Sequence, residues 1–197
     1  MLGNELLQGK GVYLAPHRLE EAEIIAEWFE DNMEMFRLLT TGTAYPFGAE
    51  GIREWLQKAY SGQSEYYPFG IYLSPEAGQT EGVLIGSCQL KDLNWQSRWA
   101  SVSIQIGESQ HWGRGYGAEA LRLLLRFGFW ELNLHRIELG VMSYNPRAIA
   151  SYEKVGFVHE GRMREQVRRD GQAFDVLMMS ILRPEWEALY APPLPDA

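Results

Sequence analysis

The apolar positions change period several times along the chain, and each change marks an element. From Lys10 to Arg18, Val12 and Leu14 alternate with Tyr13 until Pro16, which predicts a first strand. Between Glu20 and Glu30, Ile24, Ile25, Trp28 and Phe29 fall at helical spacing. Gly and Pro in "TTGTAYPFG" predict a loop. A second helix is expected from Glu50 to Ser61, with Ile52, Trp55, Leu56 and Ala59 on one face. Three strands follow: "YYPFGIYL", then "VLIGSCQLKDL" after the polar turn "PEAGQTEG", then the alternating run from Ala100 to Ile106.

A longer helix is expected from Ala118 to Glu131. Ala118, Leu121, Leu125, Phe129 and Leu132 mark its buried stripe, and Glu119, Arg122 and Arg126 its wet side. "RIELGVM" alternates again as a strand. Asn145 and Pro146 suit the N-cap and first position of a helix through "NPRAIASYEKV". Two strands then flank an Asp170-Gly171 turn, and the tail 191–197 is expected to be loose. Strands and helices interleave, so the fold class is α+β or mixed α/β.

Composition narrows the function. At 197 residues the chain fits one domain, 1–197, that buries its core without staples. Cys88 is the one cysteine, so there is neither an internal disulfide nor a metal-spaced Cys/His cluster, and its apolar strand setting reads as a buried, inert thiol. No signal peptide is visible at the N-terminus and no run of 18 apolar residues occurs, which leads to the expectation of a cytoplasmic protein without membrane contact. The net charge of −8 argues against a nucleic-acid partner. It leaves room for a cationic substrate, although surface acidity commonly serves solubility. Aromatic residues make up 13% of the chain, enough for a cleft or an interface as well as a core.

Candidate chemistry begins at "HWGRGYGAEA", residues 111–120, where three glycines stand at the start of a helix after a strand. A helix N-terminus offers unpaired N–H groups and partial positive charge. Glycines let phosphate oxygens reach those amides without meeting a Cβ. A plain tight turn also fits the spacing. The loop is not a Walker A motif, since no Gly-Lys-Ser/Thr follows, and Gly113, Gly115 and Gly117 do not match the dinucleotide fingerprint.

From the glycine loop through "LNLHRIEL", Asn145, Tyr152 seven residues later and Gly156-Phe157, the chain resembles the acetyl-CoA-binding half of the GNAT (Gcn5-related N-acetyltransferase) superfamily. It looks most like the branch that acetylates ribosomal-protein N-termini and its polyamine-acetylating relatives. The likeness covers about residues 83–182. It implies a central, mostly antiparallel twisted sheet flanked by helices, with splayed fourth and fifth strands and acetyl-CoA between them as cosubstrate. The implied cofactor-binding set is Ile106, the amides of Gly113, Arg114, Gly115, Tyr116 and Gly117, then Asn145 on the pantetheine arm and Tyr152 by the sulfur. Trp112 departs from the pattern: the family's loop often begins there with Gln or Arg.

Acetyl transfer requires a deprotonated amine, a donor for the developing oxyanion and a proton or hydrogen bond for the departing sulfur. The resemblance makes Tyr152 the acid. A serine that some relatives carry three residues after the asparagine is here Ala148, and Ser151 lies about 100° around the helix from Tyr152. A glutamate common on the relatives' fourth strand is replaced by Ser101 and Ser103, which leaves Glu108 and His111 beside the loop as candidate bases. Glu160 recurs near the acceptor end in relatives, or binds the neighbouring strand. His135 and Arg136 read as packing or surface residues.

The expected activity is acetyl transfer from acetyl-CoA to a primary amine in a ternary complex. The acceptor is a protein N-terminus or, alternatively, a polyamine or other small amine. A noncatalytic acyl-CoA sensor is the alternative of another class. Phe36, Tyr45, Phe47, Trp55, Tyr67 and Trp95 are aromatics able to line an acceptor pocket. Exposed aromatics would also allow a homodimer.

Overall fold

A computed structural model describes residues 6–45, 48–61, 66–75 and 81–190. Strand β1 (Val12–Ala15) leads into helices α1 (Ala22–Asp31), α2 (Met33–Leu39) and α3 (Ala49–Ala59). Strands β2 (Tyr67–Leu73), β3 (Leu84–Asn94) and β4 (Trp99–Ile106) follow, then helix α4 (Tyr116–Arg126). The chain continues through β5 (Arg136–Met142), α5 (Pro146–Val155), β6 (Val158–Arg169), β7 (Gln172–Leu182) and α6 (Arg183–Tyr190). The seven strands form one sheet in the order β1-β2-β3-β4-β5-β7-β6. Every neighbouring pair is antiparallel except β4 and β5. The mixed α/β architecture is what the interleaved strands and helices called for, and the mostly antiparallel sheet is what the family resemblance implied.

Two apolar layers flank the sheet. On one face Leu121, Leu124, Leu125 and Phe129 from the α4 region pack with Leu90, Ile137 and Ile181 of the strands and Trp186 of α6. On the other, Ile25, Trp28 and Phe29 of α1 meet Ile52 and Leu56 of α3. The β6–β7 hairpin turns at Asp170 and Gly171, both with positive φ, as a tight primed turn requires. Arg37 of α2 reaches Asp170 at 2.7 Å, and Arg169 donates to the carbonyls of Thr40 and Gly42. The hairpin tip thus holds the end of α2.

Several elements differ from the sequence pattern. The expected long helix ends its regular turns at Arg126 and finishes as a wide π turn over Phe127–Glu131. Gly128 sits there because a Cβ would come 2.7 Å from Ile137 Cδ1. The wet side of α4 is partly covered: Glu119 accepts from the amides of Lys10 and Gly11, and Arg126 donates to the carbonyls of Leu6 and Gln8. Their charges tie down the backbone ahead of β1 instead of facing solvent alone. Helices α2 and α6 are additions. Asn32 caps α2 by accepting from Met35 N–H at 3.0 Å, and α6 buries Trp186. The tail 191–197 lies outside the described residues. Among the described residues no helix is long and apolar enough to cross a membrane.

Candidate active site

Strands β4 and β5 pair over three rungs only, Trp99 with Arg136, Ala100 with Ile137 and Ser101 with Glu138. Beyond Ser101 they part, and a cleft of about 360 Å³ opens between them. Ile106, Gly113, Gly115 and Gly117 line one side, and Val141, Asn145 and Tyr152 line the other. The first turn of α4 ends in this cleft, with Gly115 as its cap and no side-chain hydrogen bond to its amides. The opening amides of a helix have no internal acceptor, so this end presents donors and partial positive charge.

The glycines differ in what requires them. Gly113 and Gly115 have φ of +73° and +88°, where a side chain is strained. Gly117 lies in the first helical turn without positive φ, and a Cβ there would meet only Ile106 Cγ1 at 3.7 Å, an ordinary contact. Neither conformation nor internal packing demands a glycine at 117, although it costs about 1 kcal/mol against Ala within a helix. The space before it is open toward the cleft. Arg114 turns its side chain to solvent and Tyr116 packs back against the core, and neither lines the cleft.

Trp112 stands at the head of the loop. Its indole N–H donates to Ile106 C=O at 2.9 Å, closing the last carbonyl of β4. The Arg147 guanidinium lies 3.8 Å from the centroid of its ring. Arg147 lines the cleft, stays exposed to solvent, and has no carboxylate partner among the described residues. An unpaired guanidinium at the edge of a cleft favours an anion. Its position in "NPRAIASYEKV", two residues after Asn145, was the signal in the sequence. Asn145 accepts from Ala148 N–H at 3.2 Å and so caps α5 while bordering the cleft.

Tyr152 of α5 is half-buried, its ring 5.8 Å from that of Phe157. Burial pushes its hydroxyl up to about 12, and that hydroxyl has no hydrogen-bond partner among the described residues. At neutral pH it therefore keeps a proton and can donate it.

A second cavity, about 310 Å³, lies under α1–α3 and over β3 and β4. It shares Leu39 and Gln105 with the cleft, so the two spaces adjoin. Of the aromatics singled out in the sequence, Phe36 and Trp55 line it. Tyr67 packs on Phe127 in the opposite layer, Tyr45 and Trp95 are exposed, and Phe47 lies outside the described residues.

The sequence model of the acetyltransferase (GNAT) domain matches residues 12–158. The chain belongs to the GNAT acetyltransferase family. The Bacillus subtilis protein named "Probable N-acetyltransferase YjcK" is 31% identical over 188 residues, 92% of this chain and 99% of its own. The spermidine N(1)-acetyltransferase of Escherichia coli strain K12 is 28% identical over 151 residues, 74% of this chain and 81% of its own. Among solved structures, the spermidine N-acetyltransferase of Vibrio cholerae in complex with CoA and spermine superposes with a TM-score of 0.78. It is 25% identical and covers 90% of this chain and 99% of its own. The GNAT chain described here is accordingly an acetyl-CoA-dependent N-acetyltransferase, as its motifs implied, and the splayed strands are where the family resemblance put them.

The remaining sequence candidates fall elsewhere in this GNAT fold. Glu108 is exposed, lines neither cavity and accepts from Gln110 Nε2. His111 lines neither cavity and faces the Tyr116 ring at 6.3 Å. Ser103 lines the cavity under the helices, but Ser101 does not. Arg136 bridges Glu138 and Glu160 while Ser180 Oγ donates to Glu160 at 2.7 Å, which stitches β5, β7 and β6 together. The Arg136 guanidinium holds the Glu160 carboxyl down at about 2. Among the described residues no group of three or more His, Cys, Asp or Glu is placed to hold a metal.

Proposed function

We propose that this enzyme acetylates one primary amine that enters the cavity under α1–α3, with both substrates held at once so that the amine attacks directly. The observation that carries this reading is that the two cavities adjoin at Leu39 and Gln105. An amine in one and a thioester in the other are thereby brought into reach, and proximity supplies a large part of the rate. Bound acetyl-CoA supplies the activated acetyl group.

The chain's own residues then have separate tasks. The amides from Gly113 to Gly117 receive the pyrophosphate at the N-terminus of α4. Ile106 and Asn145 border the pantetheine arm. Tyr152 Oη holds a proton toward the sulfur as negative charge develops there. No Asp, Glu or His lines either cavity among the described residues. The acceptor's proton therefore passes to water, and Glu108 acts, if at all, from the rim through solvent.

Replacing Tyr152 with Phe and following thiol release across an amine panel tests the assignment. Turnover is expected to fall by about 10²–10⁴ with acetyl-CoA affinity kept. Unchanged turnover would remove Tyr152 from the chemistry. The pH profile gives a second readout. With no enzymic base, kcat/KM rises up to the acceptor amine's own pKa. It falls again only as the Tyr152 hydroxyl, at about 12, loses its proton. A separate ascending limb, identical for amines of different pKa, would demand a base on the protein.

A further inference from the structure

The floor and the roof of the cavity under α1–α3 differ in kind. In the β3–β4 register Ser87 stands opposite Gln105 and Gln89 opposite Ser103, with Lys91 two residues further along β3. Side chains alternate along a strand, so these five share the face beneath the helices, and all five line the cavity. Leu90 and Val102 take the other face and join the core against α4, as does Cys88, which also borders the cavity between Ser87 and Gln89. The roof is Phe29, Phe36 and Trp55, with Ile25 and Ile52 beside them.

A sheet face roofed by helices is ordinarily apolar. Here it carries amides, hydroxyls and an ammonium group. Ser87 Oγ and Gln89 Oε1 are buried without a hydrogen-bond partner, which is costly unless a ligand supplies one. Lys91 is half-buried and has no carboxylate partner among the described residues. The chain carries 26 acidic residues against 18 Lys and Arg. Yet none of the acids lines this cavity among the described residues.

That pattern suits a polyamine poorly. A second ammonium would meet Lys91 and no compensating carboxylate. Building on the acetyl-transfer reading above, we infer that the acceptor is a primary monoamine on an aromatic or flat apolar body, with an anionic group at the end far from the amine. The aromatic roof packs the body and Lys91 receives the anion. Ser87 and Gln89 bond to its polar edge, and the amine points past Gln105 to the cleft. Lys91 stands four residues from Ser87, the partner of Gln105. That is about 13 Å of strand. An α-amino acid holds its amine and carboxylate too close together to use both ends. A ring between them, with the reach of the lysine side chain, spans the gap.

The test compares 4-(2-aminoethyl)benzoate, 2-phenylethylamine, spermidine and a short peptide with a free N-terminus by thiol release. The benzoate is expected to have the highest kcat/KM. In Lys91→Met its kcat/KM should fall about tenfold, through KM, while 2-phenylethylamine turnover stays within about twofold, which also shows that the variant folds. Preference for spermidine or for the peptide, or a benzoate KM indifferent to Lys91→Met, overturns the inference and leaves the acetyl-transfer reading standing. Calorimetric titration of the benzoate into the protein without cofactor separates the two. Lys91-dependent binding with no turnover of any amine supports the pocket chemistry and sinks the acetyl-transfer reading. Absence of binding in that titration overturns the pocket chemistry.

Discussion

The two adjoining spaces are made of different material. The cleft between β4 and β5 takes its donors from backbone, at the uncapped start of α4, and its shape from glycines. The cavity under α1–α3 takes its polar groups from side chains on two strands, under a roof of three helices. Backbone donors are the same whatever the side chains are, so the first design suits a ligand that never changes. Side chains can be exchanged one at a time, so the second suits a ligand that differs from one family member to another. The contrast implies that substitutions at the glycine loop should act on cofactor binding, and those in the cavity on the acceptor.

The hardest test of that division is Gly117→Ala. Because a Cβ at 117 meets only Ile106 at 3.7 Å, the fold should tolerate it, while the approach to the amides is blocked. Losing two or more charge-assisted bonds predicts acetyl-CoA binding weaker by at least about 100-fold, read by calorimetry, with a nearly unchanged melting temperature. A variant that melts early, or that binds normally, would mean that the open space at Gly117 is not a ligand's.

The roof of the acceptor cavity is held differently from the cleft, by a buried carboxylate. Glu21, just ahead of α1, is 3% exposed. Burial alone would raise its pKa, but hydrogen bonds from the Arg18 amide, Tyr72 Oη and the Arg18 guanidinium hold it down at about 2. A depressed carboxyl pKa contributes stability above the unfolded value, and that stability is lost as pH falls through the folded one. Between about pH 4.5 and 2 the protein should lose about 3 kcal/mol on this account. Glu21→Gln should remove that acid-dependent portion in denaturant melts. An acid limb unchanged in Glu21→Gln would place the sensitive group elsewhere.

A smaller effect is expected at Arg147, the one side chain argued to read charge in the cleft. Arg147→Ala should weaken acetyl-CoA about tenfold and leave acetyl-pantetheine, which lacks the nucleotide phosphates, as it was. Equal losses for both would make Arg147 a packing residue for Trp112.

The same contrast decides what could be read in the sequence. The cleft was legible because its parts are local: three glycines before a helix, Asn145 with Pro146, and Tyr152 a fixed distance on. The cavity under α1–α3 was legible only in Phe36 and Trp55, because Phe29, Lys91 and Gln105 come from three further elements and meet them only through the tertiary fold. Helix α2 was passed over because its seven residues, Met33–Leu39, are too few for a sustained period. What fixes it is tertiary: the Asn32 cap and the Arg37–Asp170 pair from a hairpin more than a hundred residues away. Helix α6 had Pro184 near its start and Trp186 and Tyr190 four apart, a usable signal that the apolar run of β7 overshadowed. Arg126 and Glu119 looked solvated because their partners are backbone groups near the N-terminus, which no side-chain pattern records.

The smallest expected effect is none, and it tests the alternation on which the acceptor cavity depends. Cys88 sits between Ser87 and Gln89, so if those two side chains point under the helices, its thiol points into the core against α4. It is 3% exposed, and burial pushes its pKa well above that of a free thiol. Native protein at pH 8 should therefore resist iodoacetamide, while the unfolded chain reacts. Cys88→Ala should leave the KM of every amine within about twofold, whatever it does to stability. Rapid labelling of folded protein, slowed by an amine acceptor, would put the thiol in the cavity. The polar row of Ser87, Gln89 and Lys91 would then face the core, and the acceptor would have to be sought on the other side of the sheet.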